Sequence, residues 1–181
     1  MPFFQYEETR DEFHRLLGRL VHEHMMFDFN IGLQLNWLGP HNGVNVRHLL
    51  KRNVSVSRRL NELKPLILKT YSAAGDATLG EISDWFTRAA KNTTLRNKYV
   101  HGRWGLPGHA EDGEPSLRFV PLHWRLEAGR PDDSVGVTLS EFSKQVDEFS
   151  TLAGQLFELL DANRQFAAPR VAHRSGLMRK Q

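Results

Sequence analysis

Apolar residues recur at three- and four-residue intervals through Phe13, Leu16, Leu17, Leu20, Phe27, Ile31, Leu35 and Leu38. That period lines one face of a helix. Thr9, with Glu12 three residues on, has the spacing of a capping box and predicts the start; Gly39-Pro40 predicts the end. A second series runs through Val46, Leu49, Leu50, Val56, Leu60, Leu63, Ile67 and Tyr71, and Pro65 inside it predicts a kink or restart, because proline lacks an amide hydrogen and crowds the preceding turn. A third begins at Thr78, again with Glu three residues later, and passes through Leu79, Ile82, Phe86, Ala89, Thr93 and Val100. The last, with Ser140 as its expected cap, uses Phe142, Val146, Phe149, Ala153, Leu156, Leu159 and Leu160.

Between the third and fourth series the period changes. From Gly105 to Glu114 the composition changes to Gly, Pro, His and acidic residues, which reads as a surface loop. Leu117–Leu126 and Ser134–Leu139 then alternate apolar and polar residues, which predicts a β-hairpin within about residues 115–140, with Pro121 at an edge or bulge. The pattern as a whole predicts a mainly all-α fold, an up-and-down four-helix bundle with a small β-hairpin inserted before the last long helix. Residues 1–166 form the single domain of this reading, and 167–181 a basic, disordered tail.

Polar chemistry interrupts the third helix near its end, at Leu95-Arg96-Asn97-Lys98-Tyr99-Val100-His101-Gly102-Arg103-Trp104. Arg96 supplies a permanent cation with a planar fork of donors suited to phosphate, Asn97 a donor and an acceptor, and His101 a group that exchanges a proton near neutral pH. Asn97 and His101, four apart, share a helix face. Arg96 and His101, five apart, diverge by about 140° on a regular helix. For both to act on one atom, either the last turn unwinds at Gly102 or a second copy of the helix supplies the missing group across a symmetric dimer. The polar run Lys91-Asn92-Thr93-Thr94 just before Arg96 suggests a wet cleft beside the motif.

The string Arg-Asn-Lys-Tyr-Val-His followed by Gly resembles the R-x4-H signature of HEPN domains, including the Asn favoured after the Arg. The likeness is sharp over about ten residues and architectural elsewhere. It implies an all-α bundle whose motif helices pair in a homodimer, and a metal-independent endoribonuclease acting on RNA. In that reading His101 is the general base or acid for the 2′-hydroxyl, Arg96 stabilises the phosphorane and Asn97 orients the phosphate or the imidazole, with 2′,3′-cyclic phosphate and 5′-hydroxyl products. The resemblance further implies a toxin or defence setting with a cognate inhibitor protein as a possible partner. Lys98, Tyr99, Arg103 and Trp104 are the candidate substrate contacts, although packing is the commoner role of Tyr99 and Trp104. Arg103 stands where some toxin relatives carry a tyrosine, so a tyrosine-modification mechanism has no residue to act on here.

The rival is a catalytically silent HEPN-like dimer that binds nucleotide, RNA or protein in the same cleft. A bundle metalloenzyme using His14, His22, Glu23, His24 or His48 is a weaker alternative, since His22 and His24 are two apart and point to different faces. His24 is expected instead as a core or dimer-interface histidine with a hydrogen-bond partner. No cofactor or metal is implied.

Composition adds little to this. The 24 Lys and Arg against 21 Asp and Glu leave a net charge of only +3, too small to mark a nucleic-acid binder alone, and Lys51, Arg52, Arg58 and Arg59 predict an exposed basic side on the second helix. Zero cysteines exclude disulfides and thiolate metal sites within this sequence. Without a signal-like start or a long apolar run, the expectation is a soluble cytoplasmic protein with no membrane association.

Overall fold

A computed structural model describes residues 3–120 and 135–167. The order is α1 (Phe3–His41), α2 (Val56–Thr70), α3 (Asp76–His101), β1 (Arg103–His109), β2 (Pro115–Val120), β3 (Val135–Thr138), α4 (Leu139–Ala162) and a 3₁₀ turn at Arg164–Phe166. The fold is mainly helical, with four helices and one small antiparallel sheet inserted before the last of them. Among the described residues no helix is long and apolar enough to cross a membrane. The expected tail from 168 onward and Pro121 lie outside the described residues.

The chain clusters into two compact units, Met1–Asp28 with Thr87–Gln155, and Phe29–Phe86 with Leu156–Gln181. In the first, Phe13 of α1 stacks on Phe142 of α4 at 5.3 Å, Phe27 meets Phe149 at 5.1 Å, and Arg88 of α3 donates to Gln155 of α4 at 3.0 Å. In the second, Ile31, Leu35, Leu60, Leu63, Ile67, Ile82 and Trp85 are buried together with Leu160, each large side chain contributing about 1.5–3 kcal/mol by leaving water. Most of the apolar positions read from the sequence lie in these cores; Leu50 does not and is exposed.

Several boundaries move. Helix α1 starts at Phe3, and Thr9 is buried within it instead of capping it, because Gln5-Tyr6-Glu7-Glu8 contains no breaker that would stop the helix from extending toward the N-terminus. It also continues through Gly39-Pro40 to His41. There the chain closes in a Schellman motif: Gly43, at φ +72°, donates to the Pro40 carbonyl at 3.1 Å, and Val44 donates to Gly39 at 2.8 Å. A Cβ on Gly39 would strike the Val46 side chain, so the helix exit depends on glycine there.

Val46, Leu49 and Leu50 precede α2 in successive turns, and α2 begins only at Val56, with Ser55 Oγ accepting from the Arg58 amide at 3.3 Å. Arg59 is buried, against the expectation of an exposed basic side, and donates to the carbonyls of Leu49 at 2.9 Å and Lys51 at 3.0 Å. Pro65 lies inside α2, which is assigned as one helix from Val56 to Thr70. Thr78 does not cap α3, which starts at Asp76; its hydroxyl donates to Asn163 at 3.3 Å.

The hairpin expected within 115–140 is present as β2 and β3, with Leu117 opposite Val137 and Phe119 opposite Val135. The loop expected at 105–114 is partly a strand, β1, which pairs with β2 and makes the sheet three-stranded in the order β1-β2-β3. As an edge strand, β1 tolerates Pro107, and the register shifts between Trp104 and Pro107. The cap of α4 is Thr138, not Ser140. The Thr138 hydroxyl accepts from the Glu141 amide at 3.2 Å, and the Glu141 carboxylate accepts from the Thr138 amide at 3.1 Å, a reciprocal capping box.

Candidate functional site

Helix α3 is assigned as helical to His101, so the last turn does not unwind to bring Arg96 and His101 together. What ends it is packing. A Cβ placed on Gly102 would fall inside the Phe119 ring and 2.9 Å from the Lys98 carbonyl; glycine alone lets the chain turn from α3 into β1 with Phe119 seated against the joint.

Of the motif residues, Asn97, Lys98, His101 and Arg103 are exposed. Asn97 and His101, one turn apart, share a solvent face. The Arg96 guanidinium donates to Asn97 Oδ1 at 3.0 Å, which fixes the amide's acceptor and leaves its donors for other groups. Lys98 Nζ lies 5.7 Å from the centre of the Phe119 ring, a cation–π contact at the root of the same face.

Tyr99 and Trp104 belong to the core. Tyr99 is buried, and Trp104 packs on Phe13, Phe119, Tyr99 and Phe142 at centroid distances of 4.3, 4.8, 5.3 and 5.8 Å. The Trp104 indole donates to the Tyr99 carbonyl at 3.0 Å, satisfying both its own N–H and a carbonyl in the last turn of α3. Burial raises the Tyr99 phenol above its ordinary value despite an opposing hydrogen bond from Gln145. These aromatics anchor the motif helix; their packing accounts for them without a substrate.

The polar turn before Arg96 also has an internal explanation. Asn92 donates to the Arg88 carbonyl at 3.0 Å, Thr93 to Ala89 at 2.9 Å and Thr94 to Ala90 at 3.0 Å. Asn92 and Thr93 are buried. Side chains that bond back to their own helix can enter a core without a wet cleft, so the run is a buried helix face for Asn92 and Thr93 and a solvent face for Thr94.

His24 is the residue whose relation to the motif the sequence left unread. Its ring stacks on Phe149 at 5.8 Å and 15°. Burial, reinforced by the positive charge of Arg96 and opposed by Asp28, pushes its pKa down to about 4, so it is neutral at pH 7. The expected partner is missing: His24 Nε2 and Arg96 Nε are both buried without a hydrogen-bond partner among the described residues. Burial also lowers the Arg96 pKa from its ordinary high value, and the group stays cationic. The signal in the sequence was the place of His24 on the apolar stripe of α1, which says it is inward but not which helix it faces. Among the described residues no three His, Asp or Glu side chains gather as a metal site.

Within one chain, then, an exposed Asn97–His101 face and a half-buried Arg96 sit on consecutive turns of α3, joined by the Arg96–Asn97 bond. The set contains a proton-transfer group, a fixed cation and an amide. Comparison with protein-family models, curated proteins and solved structures finds no match to this chain.

Proposed function

We propose that this protein is a metal-independent endoribonuclease of the HEPN type, working as a homodimer in which two motif helices line one cleft. The observation that carries the reading is the exposure of His101 and Asn97 on one face at the end of α3, with Asn97 held by Arg96. His101 removes the proton of the ribose 2′-hydroxyl, the oxygen attacks the adjacent phosphorus, and the 5′-oxygen leaves with a proton from the partner's imidazole. Arg96 stabilises the negative charge that gathers on the phosphorane oxygens. Lys98 and Arg103, exposed beside His101, contact flanking phosphates. The toxin or defence setting and a protein inhibitor of the cleft belong to this proposal too.

Purified wild type and His101→Ala, incubated with mixed RNA in EDTA, test it. Cyclic-phosphate ends from wild type alone support the nuclease; cleavage by both proteins to the same extent refutes the role of His101.

The second reading, a silent dimeric binder of RNA, nucleotide or protein, is favoured by one feature: Arg96 is half withdrawn from water, with Nε unpartnered, which suits an anchoring cation better than one that must meet a mobile phosphate. A silent binder retains RNA equally well in wild type and His101→Ala and cleaves it with neither.

A further inference from the structure

The second compact unit carries a cavity of about 300 Å³ formed by Gln34, Trp37, Tyr71, Phe157, Asp161 and Arg164, among others. None of these residues belongs to the motif, and all lie in Phe29–Phe86 or Leu156–Gln181. Three features of the cavity are not explained by folding.

The first is Trp37. Large aromatics usually hide most of their surface, yet Trp37 is 52% exposed. Phe157 meets it at a steep angle, 6.4 Å and 71°, and about half of the indole stays open to another flat group. The second is Gln34, only 5% exposed, which lines the cavity. An amide at a cavity wall offers a donor and an acceptor side by side to whatever enters. The third is a pair of opposite charges. Asp161 and Arg164 both line the cavity and both act on the buried Tyr71 phenol, in opposite senses, while no ion pair joins them among the described residues.

We infer that this cavity is a binding site for an adenine nucleotide. The base stacks on Trp37, the Gln34 amide bonds the adenine edge through N6 and N7, Asp161 accepts from the ribose hydroxyls, and Arg164 meets the phosphate. Each pairing follows from chemistry. A flat heteroaromatic ring is what an open indole face accepts, glutamine matches the donor–acceptor edge of adenine in a bidentate fashion, a carboxylate is a ribose-hydroxyl acceptor, and a guanidinium fork fits phosphate. A cavity of this size holds a base and its ribose with the phosphate at the rim. The same ligand chemistry arrives either as a free nucleotide or as an adenosine within an RNA strand.

Calorimetric titration of the full chain with adenosine, AMP, oligo(A) and oligo(U) tests the site. Saturable AMP binding is expected, weakened at least about tenfold in Trp37→Ala and Gln34→Leu. Arg164→Ala is expected to weaken AMP about tenfold while leaving adenosine unchanged. AMP binding as tight as oligo(A) identifies a free nucleotide as the ligand; oligo(A) tighter than both AMP and oligo(U) identifies a strand. If Gln34→Leu unfolds, the exposed Trp37 and Arg164 positions decide. No saturable binding of AMP or oligo(A), or equal affinity in wild type, Trp37→Ala and Arg164→Ala, overturns the proposal. His101→Ala is expected to bind AMP like wild type, so a failed nuclease and a failed nucleotide site give different results.

Discussion

Gly102 and Phe119 occupy space that only a residue without a side chain can share: the ring of one stands where the Cβ of the other would be. Gly102→Ala therefore forces the ring or the end of α3 to move, at a cost of about 1–3 kcal/mol. In a double-mutant cycle with Phe119→Leu the two changes are expected to couple, the alanine costing less once the ring is gone. Strict additivity in urea denaturation would show that the joint relaxes elsewhere.

Trp104 and His101 lie three residues apart and are expected to answer mutation in opposite ways. Trp104→Ala removes the hub of an aromatic cluster and is expected to cost about 3–5 kcal/mol. His101→Ala, on an exposed face, is expected to stay within about 0.5 kcal/mol of wild type while abolishing RNA cleavage. Thermal melts and the RNA assay on the same preparations check both halves.

His24 links stability to pH. Its folded pKa, about 4, lies below the ordinary 6.5, so the unfolded chain binds a proton that the folded chain refuses. The stabilisation from the neutral ring is complete above pH 6.5 and is lost as pH falls from 6.5 to about 4. At about 1.4 kcal/mol per unit the loss is at most ~3.5 kcal/mol, reduced by solvent screening because the ring is only partly buried. His24→Phe is expected to flatten this window in a series of melts; an unchanged slope would place its cause in other groups.

On the proposed reading each site takes one imidazole from each protomer, so an active dimer needs both copies of His101. Wild type mixed with an equal amount of His101→Ala is then expected to keep about a quarter of the activity of the same total amount of wild type, since only about a quarter of the dimers have two wild-type chains. Mixtures that keep half, although size measurements show exchange of subunits, would mean that a site needs only one imidazole.

Much of the fold was legible because burial imposes a period. Phe13, Leu16, Ile31, Leu63, Phe142 and Phe149 were readable as core from spacing alone, and they are buried. Boundaries were less legible, because capping is a competition. Thr9, Thr78 and Ser140 each have the right side chain, but helices α1, α3 and α4 start earlier where the backbone can continue. Strand β1 was missed because its alternation is diluted by Gly105, Pro107 and Gly108; it is defined by pairing with β2, which no local pattern shows. Within the candidate site the shared face of Asn97 and His101 follows from helix geometry. The approach of Arg96 to His24, some seventy residues away, does not, nor does the bonding of Thr93 back to its own helix.

Strand β3 ends on Thr138 and α4 begins on the next residue, with Thr138 serving both elements; at the other end Gly102 alone separates α3 from β1. The sheet is thus spliced into the helical chain by joints of almost no length. The backbone has a single residue, Gly102, in which to absorb any difference between the path of β1 and that of the turn that carries His101.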